Sequence, residues 1–484
     1  MNTESIFHYF NEISKISRVS FEEKEIADYL VYKGEKMGLE VFRDKENNVI
    51  IKKPGNRQDS PIVVLQAHTD MVWDSKNENM LEKIPYQIHV EDGKMRTNGT
   101  TLGADDGIGV AMILALLEND KNEYPALEAV FTSNEEETMG GAMSVRKENV
   151  SGKYMINLDS EKEGVFTIEA AGGISSLCKL PLKKKHSVKN KTVKVMVTGC
   201  GGGHSGLEIG KKHENAISIM TRFLQTLPND SYELNSLEGG SRSNAIPEWA
   251  TAVINIDDDK LLEKEIFSFI ENRQTEWWDE EKELSIKTEE LEYNSIVYED
   301  VCRERLLLLL ENLPHGVRKR TEDFLCSSAN LAMVRDNGNY ISIELTLRSS
   351  YESWYQDEVK KIRRLLRHLG GEAVYKDEYP AWINKKDSQL IKIFLETYGD
   401  LYGEEAVCEK VHAGLECGII MRNCPSIKET ISIGPTILNA HTISETLDIE
   451  SVKKVYALLE KALERINTSE KCLLTSNMKG VYNE

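Results

Sequence analysis

Between residues 60 and 160 the chain alternates short apolar runs with stretches of helical periodicity: PIVVLQAH, GIGVAMILALLEND, ALEAVFTSN and KYMINLDS follow one another. Few folds accommodate that rhythm, and it predicts an α/β architecture with a largely parallel sheet. Open α/β sheets bind their ligands just past the C-terminal ends of the strands. The polar residues that close each run are therefore the first candidates for a site.

A second α/β stretch, about 386–466, contains GLECGIIMRN, the strand-like IKETISIGP and the amphipathic DIESVKKVYALLEKALERI, and reads as a return to the first domain. The stretch between them differs. The β-rich pieces TVKVMVTG, ATAVINID, LSIKTEEL, FLCSSANLAMV and YISIELTLRSS are interleaved with helical segments near 214–227, 259–277, 299–313 and 354–369. This predicts an α+β insertion, laid out as strand–helix–strand units occurring twice. At 484 residues the chain is too long for one ordinary core. The expected organisation is 1–186 and 383–484 forming a catalytic domain with a mixed, mostly parallel sheet, and 187–382 forming an inserted α+β lid. After Asn467 the periodicity fades, which predicts a loosely packed terminus.

A formal net charge of -20, spread along the chain, repels phosphate backbones and argues against nucleic acid as a partner. The N-terminal MNTESIFHYFNEISKIS lacks the basic start and apolar stretch of a signal peptide. Apolar runs such as Leu306 to Leu310 fall far short of the roughly 20 residues that span a bilayer. Eight scattered cysteines without a CxxC pair read as reduced thiols. The expectation is a cytoplasmic protein without a membrane segment.

In VLQAHTDMV a buried strand ends on His68 and Asp70, which share one side of an extended chain. A metal ligand and the carboxylate that orients it have this spacing, although an isolated HxD is more often a strand-end histidine satisfied by backbone. TLGADDGIGVAM is a Gly-rich turn opening a helix. Asp106 there reads as a helix cap, and Asp105 as a ligand able to bridge two metals about 3.5–4 Å apart. AVFTSNEEETMGGA puts Glu135, Glu136 and Glu137 after another strand, where one carboxylate that ligates and one that shuttles protons suit metal-assisted hydrolysis. NLDSEKEG adds Asp159, and ISIGPTILNAHTISE adds His441 from far downstream. Five candidate ligands at successive strand ends form one constellation.

The motifs AHTDMV, GADDGIG, FTSNEE, NLDSE, GGGHSG, SNAIP, LRSS, YPAW, HAGLECG and the GPT and AHT stretch occur in the order seen in a known family. By them the chain resembles the aminoacyl-histidine dipeptidases, a carnosinase-like branch of the co-catalytic zinc peptidase superfamily that also holds carboxypeptidase G and peptidase T. The resemblance implies two zinc ions, with manganese or cobalt as substitutes. One would be held by His68, Asp105 and Asp159 and the other by Asp105, Glu136 and His441. It makes Glu135 the general base and Asp70 the partner of His68. It also implies a small peptide substrate and a homodimer. Two places depart from the pattern: Glu137-Thr138 stand where Thr-Gly is usual, and Leu438-Asn439 where Arg-Gly is usual.

Within the inserted region GCGGGHSG places His204 on a flexible Gly-rich stretch; by itself this reads as a surface-loop histidine, and with the resemblance as a donor able to reach a tetrahedral oxyanion. Asn244 in SRSNAIP and Arg348 in LTLRSS read as further substrate contacts, Arg348 being suited to a bidentate grip on a terminal carboxylate. Glu416 in HAGLECG suits the substrate's free amine, while His412 reads equally as structural. The expected activity is hydrolysis of dipeptides, Xaa-His or broader. The rivals are an N-acyl-amino-acid deacylase or tripeptidase of the same superfamily, and an inactive zinc-binding scaffold. A filled Glu135 argues against the scaffold.

Overall fold

In the computed structural model, which describes residues 3–57, 59–77, 80, 82–119, 123–211, 213–273, 283–322 and 324–478, the apolar runs lie side by side as strands. Leu127–Thr132, Val63–His68, Tyr154–Asn157 and Glu429–Ser432 pair in that order, all parallel. They are apolar on both faces because both are covered, and the six residues of Val63–His68 and of Leu127–Thr132 are all buried. Antiparallel strands extend this centre, Glu40–Arg43 and Val49–Lys53 on one side, Val165–Ala170 and Trp382–Ile383 on the other. The architecture is a mixed α/β sheet, parallel at its middle. Helix Ala104–Glu118 is buried from Ala104 to Leu117, packed against Val63–His68 and against helices Thr3–Ile13 and Ile449–Met478. Its nearly uniform apolar sequence reflects that enclosure.

The chain divides into two compact units: 1–170, 382–410 and 415–484 form one, and 171–381 with 411–414 the other. The first boundary falls at 170/171 instead of the expected 186/187. Strand Gly172–Pro181 follows Val165–Ala170 almost without a break, yet pairs with Tyr340–Ser349 in the second unit's sheet. Only the Gly172-Gly173 pair marks the crossing in the sequence.

The second unit carries a nine-stranded antiparallel sheet. Its first half runs Lys191–Thr198, helix Ala216–Thr226, Tyr232–Gly239, Ala250–Ile256, helix Asp259–Arg273 and Ser285–Leu291, with spatial strand order fourth, first, third, second. That is a split β-α-β-β-α-β unit. Strands Leu325–Asp336, Tyr340–Ser349, Gly172–Pro181 and Glu372–Tyr379 continue the sheet, with helices Asp300–Asn312 and Glu352–Leu369. The expected helical segments are present, residues 274–277 lying outside the described residues. The C-terminal helix Ile449–Met478 continues past Asn467, where a loose terminus was expected. Glu, Lys and Leu favour helix even where the apolar face has faded. Residues 479–484 lie outside the described ones. Among the described residues no helix is long and apolar enough to cross a membrane.

Candidate metal centre

His68 closes its strand with its side chain buried, opposite Thr132 of the neighbouring parallel strand. Past Thr132, Asn134 adopts φ 51° and turns the chain into the short helix Glu135–Thr138. Asp159 follows the next parallel strand. Asp105 stands at the start of helix Ala104–Glu118, after Gly103 at φ 67°. His441 sits between the paired strands Ile437–Leu438 and Thr446–Asp448, with Asn439 at φ 55°. The left-handed backbone at 439 accounts for one departure noted above, since asparagine tolerates that region better than most side chains when glycine is absent.

Asp105 lies between the two histidines. Its Oδ1 is 3.0 Å from His68 Nε2 and its Oδ2 3.0 Å from His441 Nε2. Asp159 Oδ1 is 3.2 Å from the same His68 nitrogen, and Glu136 Oε1 is 2.9 Å from His441 Nε2. Each ring nitrogen carries at most one proton, yet each faces two carboxylate oxygens. Donor atoms about 3 Å apart are spaced as atoms that share a cation at roughly 2.0–2.2 Å. Atoms of His68, Asp105 and Glu136 all lie within 4.8 Å of one another. The donor set fits a metal ion.

The charge balance agrees. Burial pushes Asp159 up to about 7, with Asp105 adding to the effect and His68 opposing it. Burial also carries Glu135 well above the carboxylate range, reinforced by Asp159, Glu136 and Glu416 against the pull of His68. Burial alone would lower His68, but Asp159, Asp105 and Asp70 raise it well above its usual value. Hydrogen bonding to Asp105 and Glu136 lifts His441 to about 11. This excess of buried acid is what a divalent cation neutralises.

Asp70 does more than was expected of it. Its Oδ1 is 3.5 Å from His68 Nδ1, and that nitrogen forms no hydrogen bond. The carboxylate instead accepts the N–H of Glu135 at 2.9 Å and of Glu136 at 3.2 Å, and the Ser20 hydroxyl at 2.7 Å. Asp70 thus fixes the short helix that carries both glutamates. Asp106 caps its helix as expected, accepting Gly109 N–H at 3.2 Å. Glu416 lies buried in the same unit, its Oε2 accepting from Gln66 at 2.6 Å and Thr132 at 2.7 Å, while its Oε1 has no partner. Burial pushes its carboxyl up to about 8.

The remaining candidates belong to the second unit. Arg348 is buried, its Nη1 donating to the Tyr379 hydroxyl and its Nε without a partner. His204 is half-buried, and burial together with Arg348 lowers its pKa. Its glycine-rich stretch is held on both sides, by Ser205 N–H to Asn244 O at 2.7 Å and Ile246 N–H to Gly203 O at 2.9 Å, where a flexible segment was expected. The Asn244 side chain is exposed. His412 is a packed histidine, 2.7 Å from Ser328 Oγ through Nε2.

Two charges that shape the site escaped sequence reasoning. The guanidinium of Arg18, fully buried, donates to Thr69 O at 3.0 Å, to Asp70 O at 2.9 Å and to Gly103 O. Glu445 accepts the backbone N–H groups of Leu102, Gly103 and Ala104 at 2.8–2.9 Å. Neither SRVS nor ISET carries a signal for such a role, because both partners are backbone atoms remote in sequence.

Fold and donor set together define a metal-dependent hydrolase. The chain belongs to peptidase family M20/M25/M40, whose profile matches residues 64–465, and is an enzyme that hydrolyses peptide bonds. It is similar to the cytosol non-specific dipeptidase of Escherichia coli (strain K12), 31% identical over 477 residues covering 96% of this chain and 98% of that protein. The crystal structure of an aminoacylhistidine dipeptidase from Vibrio alginolyticus matches with a TM-score of 0.86 at 28% identity, over 96% of this chain and 97% of that one. An aminopeptidase from Bacillus cereus shares the fold alone, with a TM-score of 0.56 at 16% identity over 96% and 99% of the two chains.

Proposed function

We propose that this enzyme is a cytoplasmic dipeptidase using two zinc ions, with manganese or cobalt as substitutes. The observation that carries the reading is the Asp105 carboxylate, one oxygen facing His68 and the other His441, each at 3.0 Å. His68, Asp105 and Asp159 would hold one ion, and Asp105, Glu136 and His441 the other. Bound there, the pair would polarise the scissile carbonyl and acidify a water molecule. Glu135, carried on the helix that Asp70 caps, accepts the water proton at its carboxylate and delivers it to the departing amine. Such proton transfer is worth roughly 10²–10⁴ in rate.

For the substrate we assign Arg348 to the terminal carboxylate, which its planar fork matches. His204 serves as oxyanion donor, Asn244 as a further polar contact, and Glu416, through the unpartnered Oε1, as acceptor for the amino group. The names of the Escherichia coli and Vibrio relatives favour dipeptides, and the first favours the cytosol. A homodimer formed through the inserted region is part of the same proposal. The test is metal analysis followed by incubation with dipeptides, tripeptides and N-acetyl amino acids. About two zinc per chain and release of amino acids from dipeptides are expected. Full activity in metal-free protein, or preference for tripeptides or N-acetyl amino acids, would overturn the proposal.

A further inference from the structure

Glu445 is a buried charge that the proposed chemistry leaves unused. Its carboxylate reaches from the loop that carries His441 to the turn that carries Asp105. Oε2 accepts the N–H of Leu102 at 2.8 Å and of Gly103 at 2.9 Å, and Oε1 that of Ala104 at 2.8 Å and, more weakly, of Asp105 at 3.4 Å. Four consecutive amides converge on one side chain that is 3% exposed. Arg18 grips the same turn through the Gly103 carbonyl and ties it to Thr69 and Asp70 beside His68. There is no room to spare: a Cβ at Gly103 would come within 2.5 Å of Arg18 Nη2 and 2.7 Å of Met71 Sδ.

The two halves of the centre are secured differently. His68 and Asp159 stand at the ends of the neighbouring strands Val63–His68 and Tyr154–Asn157, whose parallel pairing runs up to Gln66 and Asn157. His441 lies on no such strand. Around it, Glu445 N–H bonds Thr442 O at 3.1 Å and Asn439 Nδ2 bonds Ser444 O at 3.5 Å, both within the loop. Besides the His441–Asp105 contact itself, the Glu445 carboxylate bonds this loop to the 102–105 turn.

We propose that Glu445 is a positioning residue that sets the spacing between Asp105 Oδ2 and His441, and so assembles the half of the centre formed by Asp105, Glu136 and His441 while leaving the His68–Asp159 half intact. This rests on the two-ion reading above. Glu445→Gln is nearly isosteric, but its single carbonyl oxygen can serve one pair of amides, and its NH₂ turns a donor toward the other pair.

Calorimetric titration of metal-free protein with zinc should give two ions per chain in the wild type. In Glu445→Gln one ion should bind as before and the other about 10- to 100-fold more weakly. Cobalt substitution supplies a second readout, because the absorption of one cobalt ion should be lost or altered and that of the other retained. A fold-wide defect would weaken both ions together, and that result, or two unchanged ions, overturns the proposal. A wild type binding fewer than two ions would instead refute the two-ion reading, and the assignment to Glu445 with it. Where the metal-free Gln variant does not melt cooperatively, Glu445→Asp replaces it. Asp keeps the charge but is one methylene shorter, and the same selective loss is expected.

Discussion

Replacing Arg18 by Met keeps most of the side-chain volume and removes the guanidinium. Three carbonyls, those of Thr69, Asp70 and Gly103, lose their donor. A buried acceptor left unpaired costs about 1–3 kcal/mol. The positive charge facing Glu445, Asp70, Asp106 and Asp105 goes as well. Removing one partner from a buried charge cluster costs about 3–5 kcal/mol. These contributions overlap, since the same group supplies both, so the expected loss is about 3–5 kcal/mol rather than their sum. Against a typical domain stability of about 5–15 kcal/mol that is a large fraction. The measurement is urea unfolding of the metal-free protein at pH 7, which removes stabilisation by bound ligand, together with hydrogen exchange of the amides in Ala104–Glu118. Arg18→Lys should lie between the two, because a point charge with three donors does not reproduce a planar fork spanning three carbonyls. A loss below about 1 kcal/mol in the Met variant, with unchanged exchange in that helix, would refute this account of the turn.

The adjacent glutamates should separate by role. Glu135→Ala should abolish most turnover and keep both metals, whereas Glu136→Ala should weaken metal binding. Metal analysis beside kcat decides, and the reverse pattern would swap their roles. His412 gives a pH prediction. Burial, with Arg348 nearby, pushes its pKa down to about 4, so below the ordinary value near 6.5 the unfolded chain binds a proton that the folded unit does not. Stability of the second unit is therefore full above about 6.5 and falls as pH drops toward 4, by up to about 3 kcal/mol from this group. Hydrogen exchange in Leu325–Asp336 should show the loss, and His412→Gln should flatten it. An identical acid slope in the variant would exclude His412 as its source.

Three of the proposed ligand positions were legible because each is local to an element. His68 and Asp159 close apolar runs, Asp105 opens a helix after a Gly-rich turn, and strand alternation places such residues at one sheet edge whatever the rest of the chain does. The α/β class follows from the same runs, whose apolarity on both faces demands covering layers. What sequence could not supply was contact across long separations. Arg18 meets carbonyls 51, 52 and 85 residues away, and Glu445 meets amides 340 to 343 residues away. Backbone partners leave no residue-type signature, so nothing in SRVS or ISET distinguishes a buried clamp from a solvated charge. The unit boundary was hidden for a similar reason: Val165–Ala170 and Gly172–Pro181 are both strands, and only their pairing partners, chosen in the folded chain, send them to different sheets. Asp70 shows both sides. Its place beside His68 could be read from one strand's alternation, but its hold on the amides of Glu135 and Glu136 exists only because a parallel neighbour brings the end of a second strand alongside.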